Sequence, residues 1–253
     1  IECSNEIYHP NIISVLDTLS FDGRTINVEE YFPNAQDLEG LVRITGPLRE
    51  NFFEGIFGQV LEPVEYLNME EHILHRDLKP SNVLVDRNGN VKLTDLQNAR
   101  KTVDVRALTL PTRGGTAYTH PRLLNGLLSG TPSKADLESE RYAVGGIGHF
   151  CLTGENPFGY KLVKDEKGVP IYVDGEEFRV ALKVDGEIVE RVDEEAHERK
   201  LRENVKRLPR KYREPIYRAL TLNGKAYEDV SQFRRGFNKK RGGFFRRVGE
   251  QVV

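Results

Sequence analysis

The sequence predicts an α+β protein that is mainly helical, with short strands gathered in its first hundred residues and a small β insertion further along. Three observations carry that expectation. Phe53, Ile56, Phe57, Val60, Leu61, Val64 and Leu67 recur at the i, i+3, i+4, i+7 spacing that lines one buried face of a helix. Residues 83–86 and 91–94 are apolar-rich runs on either side of Arg87-Asn88-Gly89-Asn90, which reads as a β-hairpin. Beyond residue 192 the chain turns into charged, periodic stretches of helical type.

In chain order, residues 11–19 and 24–32 are strand-like around a turn at Asp22-Gly23, with Pro33-Asn34 as a breaker. The long helix starts from Thr45 and Pro47, and Pro63 is placed to bend it near its end. In the hairpin, Asn88-Gly89 favours a two-residue type I′ turn with positive φ at both residues, a register that sets Asn82 opposite Asp95 with Cβ atoms ~5 Å apart. Residues 96–132 read as an irregular stretch rich in Thr, Gly and Pro, too long for a structureless loop without a function. Residues 141–152 are apolar enough for a buried helix despite Gly145, Gly146 and Gly148. Val-Asp-Gly-Glu occurs at 173–176 and again at 184–187, two hairpin turns that make 160–192 a small β-meander. Helices are expected over 193–208, 213–222 and 231–237.

With 37 basic and 39 acidic side chains the net charge is −2, which argues against the strong overall field of a dedicated nucleic-acid binder. Cys3 and Cys151 are the only cysteines, so a disulfide framework and a zinc ribbon are excluded, and no His-Glu-x-x-His pair occurs. The longest weakly polar run, 143–152, is far short of the ~20 residues of a membrane span. The expectation is a cytoplasmic protein with no membrane contact. The chain begins at Ile1 and its only methionine is Met69, which reads as the remainder of a longer product.

Residues 75–82 read His-Arg-Asp-Leu-Lys-Pro-Ser-Asn, and Asp95 follows thirteen residues after Asn82. Here the chain resembles the eukaryotic-type Ser/Thr protein kinases, at every defining position of the catalytic loop and in the spacing to the metal-binding Asp. The resemblance extends to His9-Pro10-Asn11-Ile12 after the family's αC helix, Glu30-Tyr31-Phe32 at the hinge, Gly115-Thr116-Ala117-Tyr118 at the end of the activation segment, and 143–154 at the central helix of the C-lobe. It implies a protein kinase-like fold with an incomplete β N-lobe and hinge over 1–32. A mainly helical C-lobe would follow over 33–238, with an insertion at about 160–206, and then a basic tail over 239–253. It also implies ATP and Mg²⁺ as cofactors and a protein substrate.

Phosphoryl transfer needs an oriented hydroxyl and a divalent metal to neutralise phosphate charge. Asp77 is the candidate base, Lys79 the cation for the transferring group, and Asn82 and Asp95 the oxygen ligands that Mg²⁺ prefers. By resemblance Thr116 bridges the catalytic Asp and Lys, which favours Ser/Thr hydroxyls. Glu30, Phe32, Asp37 and Lys79 would face the nucleotide, though an Asp at 37 is equally suited to start a helix. His75 reads as a residue that fixes backbone, and Arg76 as the holder of a phosphorylated residue.

The pattern breaks in two ways. No Gly-rich phosphate loop, no Val-Ala-Ile-Lys lysine and no αC glutamate is found, so the chain by itself is expected to be inactive. Asp-Phe-Gly is replaced by Asp95-Leu96-Gln97, Ala-Pro-Glu by His120-Pro121-Arg122 and the arginine that pairs with it by Ala226. Glu140 replaces the aspartate of the central helix, and Glu29 stands at the gatekeeper position. These substitutions support an alternative, a pseudokinase acting as a binding or scaffolding module, while Lys79, Asn82 and Asp95 oppose it. A small-molecule phosphotransferase of the aminoglycoside type shares the Asp-then-Asn logic but lacks the Arg and Lys-Pro of this loop. In the tail, Arg and Lys are interleaved with Phe244 and Phe245, a pattern that fits a solvated basic face better than nucleic-acid contact.

Overall fold

The chain opens on an antiparallel ribbon, β1 (Val15–Phe21) and β2 (Arg24–Glu29), with a bulge between Val15 and Asp17. Its register places Leu19 against Ile26, and Leu16, Leu19, Phe21 and Ile26 are all exposed. This computed structural model describes residues 7–22, 24–102, 115–131, 133–162, 182–184, 186–189 and 191–240. β3 (Gln36–Asp37) runs into α1 (Leu38–Thr45), a helix the sequence reading did not contain. Eight residues are too few for a period to declare itself; the one sign was Asp37, whose Oδ1 caps the helix by accepting from Gly40 N–H at 2.8 Å.

α2 (Glu50–Met69) follows, and all seven residues of the expected stripe are buried on it. Phe53 and Phe57 stack at 5.0 Å and meet Phe237 at 5.8 and 5.2 Å, which brings the segment around residue 237 onto α2. Burying such a ring contributes about 2–3 kcal/mol. β4 (Ile73–Leu74), β5 (Val83–Val85), β6 (Val91–Leu93) and β7 (Arg100–Lys101) then make two small sheets, ordered β3-β5-β6 and β4-β7.

The β5–β6 hairpin exists where expected, but its register differs by one residue. Val83 pairs with Leu93 and Val85 with Val91, and Thr94 N–H donates to the Asn82 carbonyl at 3.0 Å, so Thr94 and not Asp95 lies opposite Asn82. The cause is Asp86. Its Oδ1 accepts from both Asn88 N–H and Asn90 N–H at 2.8 Å, which favours a three-residue loop in which only Gly89 has positive φ, at 82°. Gln59 of α2 reinforces it, donating to the Gly89 carbonyl at 2.8 Å and accepting from Val91 N–H at 3.1 Å.

Within the stretch expected to be irregular, 96–132, lies a helix, α3 (Pro121–Leu128). Its N-cap is His120, whose Nδ1 accepts from Arg122 N–H at 3.1 Å; a His cap is not among the usual start signals, and Pro121 at the first position was the legible one. α4 (Leu137–Thr153) starts with a capping box between Asp136 and Ser139 and is buried on every side from Ser139 to Leu152. Its glycines are contact points: a Cβ at Gly145 would lie 2.7 Å from the Ala219 Cβ, and one at Gly148 would lie 2.8 Å from both Ile216 and Phe57. Close approach of three helices explains why a Gly-rich segment is helical at all.

β8 (Lys161–Leu162), β9 (Leu182–Val184) and β10 (Glu187–Val189) form an antiparallel sheet ordered β10-β9-β8, with Gly186 at φ 97° in the second Asp-Gly turn. The first, at 173–176, lies outside the described residues, as does the chain from 241 on. α5 (Glu194–Asn204), α6 (Arg210–Leu220) and α7 (Val230–Lys240) complete the helical part. Among the described residues no helix is long and apolar enough to cross a membrane.

Two histidines are locked into this core. His197 is sandwiched against Phe158 at 4.0 Å, lies 2.8 Å from the Tyr160 hydroxyl and 3.1 Å from the Leu220 carbonyl; His149 is fully buried beside the Glu155 carbonyl. Burial lowers the pKa of each to about 4. A lowered histidine pKa means that the unfolded chain binds more protons below its ordinary value near 6.5, so stability present above pH 6.5 is lost as pH falls towards 4. Urea unfolding between these limits should show the loss, and His149→Gln should flatten the slope by up to about 1.4 kcal/mol per pH unit. An unchanged slope in that variant would remove His149 from the account.

Candidate active site

The loop between β4 and β5 is fixed from below by α4. Glu140, almost fully buried, accepts His75 N–H at 2.9 Å with Oε2 and Arg76 N–H at 2.8 Å with Oε1. Asn68 adds a longer contact to Oε2 at 3.4 Å and donates to the Ile73 carbonyl at 2.9 Å. This clamp holds Arg76 at φ 69°, a left-handed conformation that is strained for a residue with a Cβ. His75 has the backbone-fixing place expected of it: Nε2 lies 3.1 Å from the Thr94 carbonyl and Nδ1 3.4 Å from Asp77 N–H, tying the loop to the end of β6.

Three of the expected residues meet. Lys79 Nζ lies 2.8 Å from Asp77 Oδ2, and Asn82 Nδ2 donates to the Asp77 carbonyl at 2.8 Å and to its Oδ2 at 3.2 Å, all three side chains being buried. Because the Asn82 amide spends its hydrogens inside the loop, its Oδ1 is left without a hydrogen bond among the described residues. Asp95 is also left-handed, at φ 66°, and begins the short helix 96–98; its half-buried carboxylate receives no described hydrogen bond. An uncommitted amide oxygen and an uncommitted carboxylate suit a hard divalent cation that takes its remaining ligands from phosphate and water. Among the described residues no group of three His, Cys, Asp or Glu gathers, so the donor set is not that of an all-protein metal cage.

Thr116 is buried in the short helix Gly115–Tyr118. Asp37 is the cap of α1, with one carboxylate oxygen thereby used. Glu30 is tied to the strand below it: Oε1 accepts from Ser14 N–H at 2.8 Å and from Lys92 at 2.7 Å. Desolvation works to raise its pKa, but these donors outweigh it and the net shift is downward. Lys92 also stands 6.0 Å from the Phe32 ring centroid. Glu29 is exposed, and its pKa is raised, first by partial burial and then by the nearby Asp95 carboxylate, against a hydrogen bond from Thr94.

The arginine that replaces the family's glutamate at 122 has partners. Arg122 reaches Asp136 at 2.5 Å and the Lys134 carbonyl at 3.2 Å, and its side chain is well exposed. Sequence reasoning missed Asn68, Lys92 and Gln59. For Asn68 there was a signal: it lies four residues beyond Val64, a polar residue on the buried stripe.

A family model described as protein kinase domain matches residues 1–207. The chain is similar to "Probable serine/threonine-protein kinase PknB" of Lactococcus lactis subsp. lactis, 32% identical over 60% of this chain and 23% of that protein. It is similar to mitogen-activated protein kinase kinase 2 of Arabidopsis thaliana, 28% identical over 59% of this chain and 39% of that one. With serine/threonine-protein kinase PrkC of Bacillus subtilis it is 30% identical over 62% of this chain and 23% of the relative. The chain belongs to the protein kinase domain family. The match spans between about a quarter and two fifths of these relatives' length.

Glu140→Ala should leave the His75 and Arg76 N–H groups buried without acceptors, at about 1–3 kcal/mol each, and relax Arg76 from positive φ. Urea unfolding should show a loss of about 2–5 kcal/mol, and amide exchange at residues 75 and 76 should accelerate first. Unchanged protection at those amides would show that the clamp does not hold the loop.

Proposed function

We propose that the protein carrying these residues is an ATP-dependent Ser/Thr protein kinase. The observation that carries this reading is the Asp77 carboxylate held between Lys79 and Asn82 on a loop that Glu140 fixes. Asp77 takes the proton of the attacking hydroxyl as the oxygen engages phosphorus. Lys79, whose Nζ already stands beside that carboxylate, presents its charge to the transferring group. Asn82 and Asp95 would hold Mg²⁺, which supplies charge neutralisation on the phosphates when bound. Glu30, Phe32 and Asp37 border the nucleotide in this reading, and Thr116 favours Ser/Thr over Tyr. Residues 1–32 serve as hinge and N-lobe part, 33–238 as the helical lobe, and 239–253 as a basic tail.

Residues 1–253 hold no Gly-rich loop and no Val-Ala-Ile-Lys lysine, so by themselves they should transfer phosphate negligibly, since positioning supplies most of the catalysis. The test is transfer from labelled ATP to Ser, Thr and Tyr protein substrates by the full gene product. Asp77→Asn should lower the rate by about 10²-fold or more, and Asp95→Ala should abolish metal-dependent turnover. The second reading, a pseudokinase, draws on Glu29 facing Asp95, a like-charge pair at the nucleotide side. It prevails if the wild type is as inactive as both variants with Mg²⁺ and with Mn²⁺.

A further inference from the structure

A cleft of about 400 Å³ lies between α6 and α7, lined by residues that play no part in the site above. Glu214 and Arg218 contribute one turn of α6, Arg235, Gly236 and Lys239 one face of α7, and Tyr227 the connecting segment. Arg218 is held in place there. Its Nε donates to the Lys225 carbonyl at 2.9 Å and its guanidinium lies 4.2 Å over the Tyr227 ring, while its two terminal nitrogens make no described hydrogen bond. Gly236 admits that arrangement, because a Cβ there would collide with the Tyr227 hydroxyl oxygen.

Among the described residues neither Arg235 nor Lys239 has a hydrogen bond or ion pair, and both are exposed. The contrast with their neighbour is informative: Arg234 spends its charge on Glu62 and Glu65 of α2. Among the described residues that line the cleft, three cations face one carboxylate, a surplus of two positive charges. A carboxylate ligand would cancel half of that surplus, whereas a phosphate monoester carries about −1.5 to −2 and offers three acceptor oxygens to a guanidinium fork.

We propose that the α6–α7 cleft binds a phosphate monoester borne on a protein chain, a phosphoserine or phosphothreonine. The proposal rests on the kinase reading only for the origin of such groups.

Fluorescence anisotropy of the full protein, without nucleotide, should show saturable binding of a labelled phosphoserine peptide at least tenfold tighter than its serine counterpart. Binding should weaken with salt, and inorganic phosphate should compete. Arg218→Ala and the double variant Arg235→Glu/Lys239→Glu should each lose at least tenfold, the double variant keeping wild-type phosphotransfer, with Arg202→Glu on α5 unchanged as the charge control. Equal affinity for both peptides, or full binding by the double variant, overturns the proposal. Inorganic phosphate binding with no gain from the peptide overturns the protein-borne source. Preference for a single-stranded oligonucleotide over the phosphopeptide overturns the ligand class.

Discussion

A single buried carboxylate orders the loop of the candidate active site. Glu140 sits on a helix that is packed from all sides, so its position is set by the core rather than by the loop it holds. Charge at that depth is tolerable only with donors on both oxygens, and His75, Arg76 and Asn68 supply them. The relation is mutual: the loop satisfies the helix, and the helix keeps Arg76 in a backbone state it would not choose. Asp77 inherits its orientation from these two preceding residues, and Lys79 and Asn82 then close on it.

The same transfer of rigidity reaches the other side of the site through α2. Gln59 grips the β5–β6 turn, and Asn11 adds contacts to the Val91 carbonyl at 2.8 Å and to Gln59 itself at 3.2 Å. Further out, Glu138 and Arg141 form a second network. Glu138 is drawn down to a pKa of about 2, chiefly by its contact with His120 and then by Arg141. Arg141, fully buried, turns its other terminal nitrogen to the carbonyls of Arg218 and Ala219 at 3.0 and 2.8 Å. A cation at the carboxyl end of α6 is favourable to the helix dipole, and it binds α4 to α6 near the point where Gly145 lets them touch.

Much of this was legible from the sequence, unevenly and for physical reasons. The stripe from Phe53 to Leu67 and the charged helices past residue 192 declared themselves through periodicity, which long elements display. Asp77, Lys79 and Asn82 were legible through a motif, and the structure brings them together. The hairpin register was not, because Asn88-Gly89 points to one turn and the Asp86 carboxylate to another; a side chain outside the turn decided it. α1 and α3 were hidden by their length of eight residues and, for α3, by a histidine cap. Glu140 was visible as a substitution, but its hydrogen bonds span more than sixty residues of chain and follow only from the fold.

The β1–β2 ribbon stands apart from all this order. Its apolar side chains face solvent, and it is fastened at its root, where Glu30 N–H donates to the Ser14 carbonyl at 2.9 Å and the Glu30 carboxylate meets Lys92. A two-stranded ribbon has little stability of its own. Among the described residues no side chain of β1 or β2 belongs to the buried core that unites the helices. The Glu30–Lys92 pair ties the end of the ribbon to β6. Glu30 and Phe32, proposed to border the nucleotide, thus lie where that ribbon joins the helical part.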